Sequence, residues 1–394
     1  MKNIIPYGKH FIDQDDIDAV VDVLKNHPLT QGNIVNSFEE AVAEFVGAKY
    51  AVAMSSWTAG LHMACLTAGV NENNKIITSP ITFVASANAA IYCGSEVIFS
   101  DIDNETINLC PLALQNTIEK NKNIKVIIPV HFGGLPCNMS LIKDIADAAN
   151  AMVIEDAAHA LGAKYPDGTR VGSCKYSDMT GFSFHPVKSI AAGEGGLITT
   201  NDRGIYQKLL RLRSHGINKL DDDFLNKENA YTGDFKNPWY MEMQELGYNY
   251  RITDFQCALA KSQLKKLPSF IKRRVELVTR YDEAFKNFKL INPIQALSRN
   301  ESSHHLYVIR INFNKSAISR AELMTKLYER GVGTQVHYIP VTTHPYYKEL
   351  GYNTSDFPIS VKFYNEALSI PLYYSLTDED QDKVINYLKE LVES

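Results

Sequence analysis

Nothing in this chain approaches eighteen consecutive apolar residues, so a membrane-spanning helix is not expected. Residues 1–7 are too few and too polar to serve as a secretory leader, and a cytoplasmic protein is expected. Cysteine is sparse. Cys65, Cys93, Cys110, Cys137, Cys174 and Cys257 are scattered, with no CxxC pair among them. That usage argues against a disulfide frame or a zinc site, and no metal is expected. Positive charge is not in excess either: 40 Lys and Arg face 45 Asp and Glu, for a net charge of −5. Such a balance disfavours a general nucleic-acid binder. The basic runs Lys265-Lys266 and Lys272-Arg273-Arg274 fall in a helical pattern and read as a solvated face, with a phosphate-contacting patch as the other reading. Two glycosylation-like triplets, Asn104-Glu105-Thr106 and Asn138-Met139-Ser140, have no meaning in a cytoplasmic protein. Repeats and low-complexity tracts are absent as well.

What is present is ample core. Hydrophobic residues make up 45% of the 394 and charged residues 22%, enough for one large domain or two ordinary ones. Apolar spacing of three and four predicts helices over 12–26 and 36–46, the second with Ser37 as a possible cap. Short apolar runs then alternate with helical stretches. They predict strands at 50–54, 75–78, 96–100, 125–130, 152–154, 179–184 and 196–200. The middle runs are almost continuously apolar, as strands covered on both faces are. This alternation predicts an α/β fold with a mostly parallel central sheet. After about residue 255 the pattern changes. A helix over 253–287 is interrupted by Pro268, followed by a strand at 305–313, a helix at 319–330, a strand at 331–337 and a helix at 377–392. The expected division is a large unit, 1–255, and a smaller α+β unit, 256–394. The polar segment 217–245, with Asp221-Asp222-Asp223, reads as a long surface loop.

The most informative residue is Lys188. It follows the strand at 179–184 and precedes the turn Gly193-Glu194-Gly195-Gly196. Upstream, another strand runs into Glu155-Asp156-Ala157-Ala158-His159. A lysine past one strand end and a carboxylate at another suit pyridoxal phosphate (PLP). The amine binds the aldehyde, and the carboxylate keeps the pyridine nitrogen protonated. Each residue alone has a plainer reading: Lys188 as a surface lysine, Asp156 as a helix N-cap, His159 as structural. The segment Ser55-Ser56-Trp57-Thr58-Ala59-Gly60 separates a strand from a helix whose free N–H groups suit a phosphate. Thr58 and the Thr58 and Ala59 amides are the expected ligands, with Ser183 as a second donor. Trp57 either shapes the substrate pocket or simply packs. Phe83 either stacks on the pyridine ring or belongs to the core.

Taken together, Glu155-Asp156-Ala157-Ala158-His159, Phe182-Ser183-Phe184-His185-Pro186-Val187-Lys188 and the glycine turn resemble the DegT/DnrJ/EryC1/StrS sugar aminotransferases. Leu212-Arg213-Ser214-His215-Gly216 and Leu246-Gly247-Tyr248-Asn249-Tyr250-Arg251, with Asp254 and Gln256, extend the resemblance over nearly the whole chain. It implies an aspartate-aminotransferase-like fold (PLP fold type I), PLP or its amine form PMP as cofactor, and a homodimer with shared active sites. It makes Lys188 the catalytic lysine and Asp156 the pyridinium partner. His159 would lie beside the ring, and Thr58, Ala59 and Ser183 at the phosphate. Asn249 would reach the phosphate of the neighbouring subunit.

Within the family, Pro28-Leu29-Thr30-Gln31-Gly32 and Gly333-Thr334-Gln335-Val336-His337-Tyr338-Ile339-Pro340 resemble the branch serving pseudaminic acid biosynthesis. That branch implies L-glutamate as donor and a UDP-linked 4-keto-6-deoxy-N-acetyl sugar as acceptor, aminated at C4. Its substrate contacts would map to Tyr7, His27, Pro28, Leu29, Thr30, Trp57, Ser183, Asn249, Gln335, Val336, His337 and Tyr338. One departure is Trp57, where many relatives carry a small residue. The alternatives are a perosamine- or bacillosamine-type C4 aminotransferase and a non-catalytic regulatory relative. Sugar 3-dehydratases of the same family carry histidine at the lysine position, and Lys188 argues against that class.

Overall fold

Seven strands form the central sheet of the computed structural model, which describes residues 4–219 and 224–393. The acidic run Asp221-Asp222-Asp223 and residues 1–3 lie outside the described residues. The chain enters through α1 (Gln14–Asn26) and α2 (Asn33–Val46). It then alternates β1 (Tyr50–Met54), α3 (Trp57–Thr67), β2 (Lys75–Thr78), α4 (Val84–Tyr92), β3 (Glu96–Phe99), α5 (Pro111–Lys120), β4 (Ile124–Ile128), α6 (Met139–Ala148), β5 (Met152–Asp156), β6 (Met179–Ser183), β7 (Gly196–Thr200) and α7 (Arg203–Arg213). Strand order is β1-β7-β6-β5-β4-β2-β3. Only β7 runs against the rest, antiparallel to both β1 and β6.

Side chains alternate across the sheet as the pleat requires. Ala51, Ala53, Ile77, Ile127, Val153 and Leu197 enter one core, while Val52, Met54, Ile76, Val126, Ile154 and Ile198 enter the other. Burial on both faces explains why these strands read as continuous apolar runs.

Register brings the functional ends together. Gly196, at the start of β7, pairs with Met54 and with Ser183, and Asp156 pairs with Gly181. The ends of β1, β5 and β6 therefore share one sheet edge. Close approach demands glycine there, because a Cβ on Gly196 would lie 2.6 Å from the Trp57 backbone nitrogen.

Four expectations need correction. Helix α2 starts at Asn33, and Ser37 is not its cap; Asp254 accepts from Gly32 N at 2.9 Å and Ile34 N at 3.2 Å instead. Pro268 does not interrupt the long helix, which runs unbroken over Asp254–Phe285. Its packing against α1, α2 and the core through Leu264, Leu267 and Phe270 outweighs the one lost backbone bond. The segment 331–337 is no strand; it makes only isolated bridges, Ile5 to Val332 and Gln335 to Ser369. The third strand of the smaller antiparallel sheet is instead Ala367–Ile370, beside Tyr307–Ile311 and Ile291–Pro293. Finally, the 217–245 segment is not bare loop. Ile217–Asn218 pairs with Glu242–Met243, Tyr231–Thr232 pairs with Phe235–Lys236, and Lys227–Ala230 forms a helical turn.

Candidate active site

At the shared edge lies a cavity of about 660 Å³. Strand alternation decides which acidic side chain faces it. Asp156 lines the cavity, whereas its neighbour Glu155 turns the other way, accepting from Tyr165 at 2.6 Å, Thr180 at 2.9 Å and also Ser177. His131 Nδ1 accepts the Cys137 N–H at 3.1 Å, so its ring proton sits on Nε2 and goes to Glu155 at 2.7 Å. Glu155 is thus consumed by structure.

Asp156 is 5% exposed. Its Oδ1 accepts from Trp57 Nε1 at 2.8 Å and Ala158 N at 3.2 Å, and its Oδ2 accepts from Ser86 Oγ at 2.6 Å. Lys188 sits in the turn after β6, its amide bonded to His185 O at 2.8 Å. Its side chain lines the cavity and is half-buried. Burial brings its ammonium down to about 8, against the opposing pull of Asp156. An amine that gives up its proton near neutrality can act as nucleophile and base.

His159 packs against His305, with ring centroids 4.3 Å apart and the planes tilted by 37°, and its Nε2 meets the Tyr338 hydroxyl at 3.1 Å. Burial holds His159 and His305 well below the usual histidine range and brings His337 to about 3, so all three rings are neutral. Burial likewise pushes the Tyr338 hydroxyl far up. The His159 Nδ1 atom is buried with no partner. Residues Gln335 to Tyr338 are held by Ser369, which exchanges backbone bonds with Gln335 at 2.7 and 3.1 Å and meets His337 Nδ1 at 2.8 Å.

Of the expected residues, Tyr7, Trp57, Thr58, Phe83, Asp156, His159, Ser183, Lys188, Gln335, Val336, His337 and Tyr338 line this cavity. Phe83 is exposed at its mouth and so is not core. Ala59 does not line it. At the third position of α3 its N–H donates to the cap Ser56 at 3.1 Å, which leaves the earlier amides as the free ones. The turn His27, Pro28, Leu29 and Thr30 lies outside the lining: His27 meets Asp22, Leu29 O accepts from Asp254 N, and Thr30 bridges to Thr253. Asn249 is exposed and also outside the cavity of its own chain. Sequence reading missed Ser86, His305 and Glu194 as lining residues. No spacing rule connects Ser86 to Asp156, 70 positions away. The unbroken polar run Ser302-Ser303-His304-His305, all buried, was the available signal for His305.

These residues fit PLP. Asp156 has an acceptor position left on Oδ2, Lys188 supplies an amine, and the α3 N-terminus supplies free amides for a phosphate. Among the described residues, no three His, Cys, Asp or Glu side chains gather to hold a metal ion, and no helix is long and apolar enough to cross a membrane.

Comparison with known proteins bears on the same chemistry. The profile of the DegT/DnrJ/EryC1/StrS aminotransferase family matches residues 10–389. The spore coat polysaccharide biosynthesis protein SpsC of Bacillus subtilis is 38% identical, over 99% of this chain and 97% of its own length. The UDP-4-amino-4,6-dideoxy-N-acetyl-beta-L-altrosamine transaminase of Campylobacter jejuni is also 38% identical, over 99% and 98%. Helicobacter pylori PseC, an aminotransferase of pseudaminic acid biosynthesis, superposes with a TM-score of 0.88 at 31% identity, covering 99% of both chains. Solved neighbours of the same fold have been captured in PLP and PMP forms.

Proposed function

The chain belongs to the DegT/DnrJ/EryC1/StrS aminotransferase family, a PLP-dependent sugar aminotransferase, and we propose on that premise that it makes UDP-4-amino-4,6-dideoxy-N-acetyl-β-L-altrosamine for pseudaminic acid biosynthesis. The amino group would pass from L-glutamate to C4 of a UDP-linked 4-keto-6-deoxy-N-acetylhexosamine. The carrying observation is one cavity that holds both the Lys188 amine and the Asp156 carboxylate, in a chain 38% identical to the Campylobacter transaminase along its length.

When bound, PLP supplies an electrophilic aldehyde and an electron sink that carries the amino group from donor to acceptor. The protein's own groups do the rest. Asp156 would accept the ring N–H and keep that nitrogen protonated, and Thr58 and Ser183 would hold the phosphate. His159, neutral and packed against His305, would offer its unpartnered Nδ1 to the ring substituents. The Lys188 Nζ takes the proton from the donor's Cα and later returns one to the sugar's C4; a positioned amine in such roles contributes roughly 10²–10⁴-fold. Tyr7 and Gln335 to Tyr338 face the acceptor sugar, and Phe83 at the mouth limits water.

A homodimer with shared sites is part of this proposal. Lys188 is the one lysine or arginine lining the cavity among the described residues. A phosphate, a diphosphate and the donor's carboxylates need more cations than that. A second copy can bring them, along with Asn249. Leu225, Phe235, Trp239, Met241, Met243 and Leu246 are exposed on the 224–246 segment, as an unpaired subunit surface would be. The proposal also keeps the division at 255/256 and a cytoplasmic location.

A second acceptor deserves a place. The SpsC match is as strong as the altrosamine transaminase match, and Trp57 occupies the pocket beside the phosphate position. A perosamine- or bacillosamine-type C4 amination is therefore the alternative. Product analysis with glutamate and a panel of UDP- and dTDP-linked 4-keto sugars decides. Amination of the UDP-linked N-acetyl sugar is expected, and amination of dTDP sugars alone would remove the pseudaminic reading. Borohydride treatment of the holoenzyme should fix the label on Lys188, and Lys188→Ala should abolish turnover. Substantial transamination by that variant would refute the lysine's role.

A further inference from the structure

Trp57 opens α3, and the structure gives its indole a definite partner. Its Nε1 lies 2.8 Å from Asp156 Oδ1. The ring is 6% exposed and lies flush against Gly181 of β6, where a Cβ would come within 1.7 Å of Cη2. The tryptophan and the missing side chain at 181 are thus one fitted pair.

The donor set around Asp156 has a consequence. An indole N–H and a backbone N–H can only donate. Both point at Oδ1, from Trp57 and from Ala158. Ser86 Oγ donates to Oδ2 and is itself 2.7 Å from Thr82 Oγ1, which can supply Ser86 with a proton in turn. Three of the four acceptor positions of the carboxylate are filled by donors, and Oδ1 has none left over. The remaining position is on Oδ2, the oxygen that Ser86 meets, and both Asp156 and Ser86 line the cavity.

We propose that Trp57 is a positioning residue for the cofactor ring: its indole N–H fixes the Asp156 carboxylate as an acceptor-only group, with a single open lone pair presented to the pyridine N–H. This rests on the reading of Asp156 as the ring-nitrogen partner. Trp57 also sits one residue before Thr58 at the start of α3, so the same helix end that offers amides to the phosphate holds the group that grips the ring nitrogen. A shift of this helix start would move both anchors together.

The test compares PLP with its 1-deaza analogue, in which carbon replaces the ring nitrogen and no N–H can be donated. Binding to apoenzyme is measured by equilibrium dialysis for wild type, Trp57→Phe and Asp156→Asn, with thermal unfolding to confirm that each apoprotein is folded. Wild type should favour PLP over the analogue by roughly tenfold or more, as a charged hydrogen bond warrants. Trp57→Phe should lose roughly tenfold in PLP affinity and leave the analogue within about twofold, so that the preference collapses toward that of Asp156→Asn. Equal losses for both ligands would mean the indole only packs, and an undiminished preference would mean it does nothing for the ring; either overturns the proposal. Absence of any preference in wild type would instead sink the Asp156 reading, and this proposal with it. If Trp57→Phe does not fold, the wild-type protein still answers. With only two tryptophans, ¹⁵N-indole labelling gives two signals. The signal that survives in Trp239→Phe is that of Trp57; its N–H should resist solvent exchange and shift when the analogue replaces PLP. An indole that exchanges freely or is blind to the swap overturns the proposal.

Discussion

Burying the Lys188 ammonium is unfavourable, and that penalty makes the residue reactive. Burial lowers its proton affinity from the ordinary lysine value to about 8. In the cofactor-free protein the sign follows directly. Between pH 8 and about 10.5 the unfolded chain binds more protons at this site than the folded one, so stability rises with pH across that window. Below pH 8 the full penalty is present. Lys188→Met should therefore stabilise the apoprotein at pH 7 by about 1–3 kcal/mol, and the gain should fade as pH rises from 8 to about 10.5. Thermal unfolding at pH 7 and 10.5 checks it, and a gain independent of pH would refute the origin given. For the same reason the rate of PLP capture by wild-type apoprotein should climb up to about pH 8 and then level off. Neither Lys188 nor Asp156 needed a structure to be singled out. The role of Trp57 did, because the aspartate it grips lies 99 positions away and no local spacing announces the pairing.

Among the elements, strands were legible and boundaries less so. A strand covered on both faces is mostly apolar, so β1 to β7 stand out through short runs such as Val126–Ile128. The start of α2 was not legible: its first amides are capped by Asp254, 222 positions downstream of Gly32, rather than by a neighbour. Asp254→Ala should cost about 1–2 kcal/mol in urea unfolding. An unchanged midpoint would mean solvent caps the helix as well as the carboxylate does. The segment 331–337 reads as a strand in the sequence, yet it makes only two single bridges. It serves to carry Gln335 to Tyr338 past Ser369 into the cavity. Gly181→Ala should press a methyl against Trp57, destabilising the fold by about 1–3 kcal/mol and weakening PLP binding with it. Lost stability with intact PLP affinity would separate the two effects and count against the coupling.

For the whole molecule, the cavity's shortage of cations and the exposed side chains of 224–246 bear on the same question. Sedimentation equilibrium should find a dimer. Phe235→Glu with Trp239→Glu should shift it toward monomer and lower turnover roughly 10²-fold or more, as lost positioning does. A fully active monomer would dismiss the shared site. The long helix Asp254–Phe285 packs its first half into the core of the central sheet through Cys257, Ala260 and Leu264. Its second half packs into that of the smaller sheet through Leu277, Tyr281 and Phe285. It thus contributes side chains to both cores.

By itself the sequence determined the class of fold and the cofactor chemistry, and it singled out the lysine and the carboxylate that the cavity holds. These rest on local facts: apolar runs of strand length, and a lysine and a carboxylate at strand ends. Only the tertiary structure decided which groups surround that pair. Strand order β1-β7-β6-β5-β4-β2 set Trp57 and Ser86 around Asp156 and Lys188, backbone bonds from Ser303 and His305 to Gly134 and Gly133 added His305, and Ala59 and the 27–30 turn were left aside. Contacts of this kind depend on register and packing between distant segments, and periodicity within a segment carries no information about them.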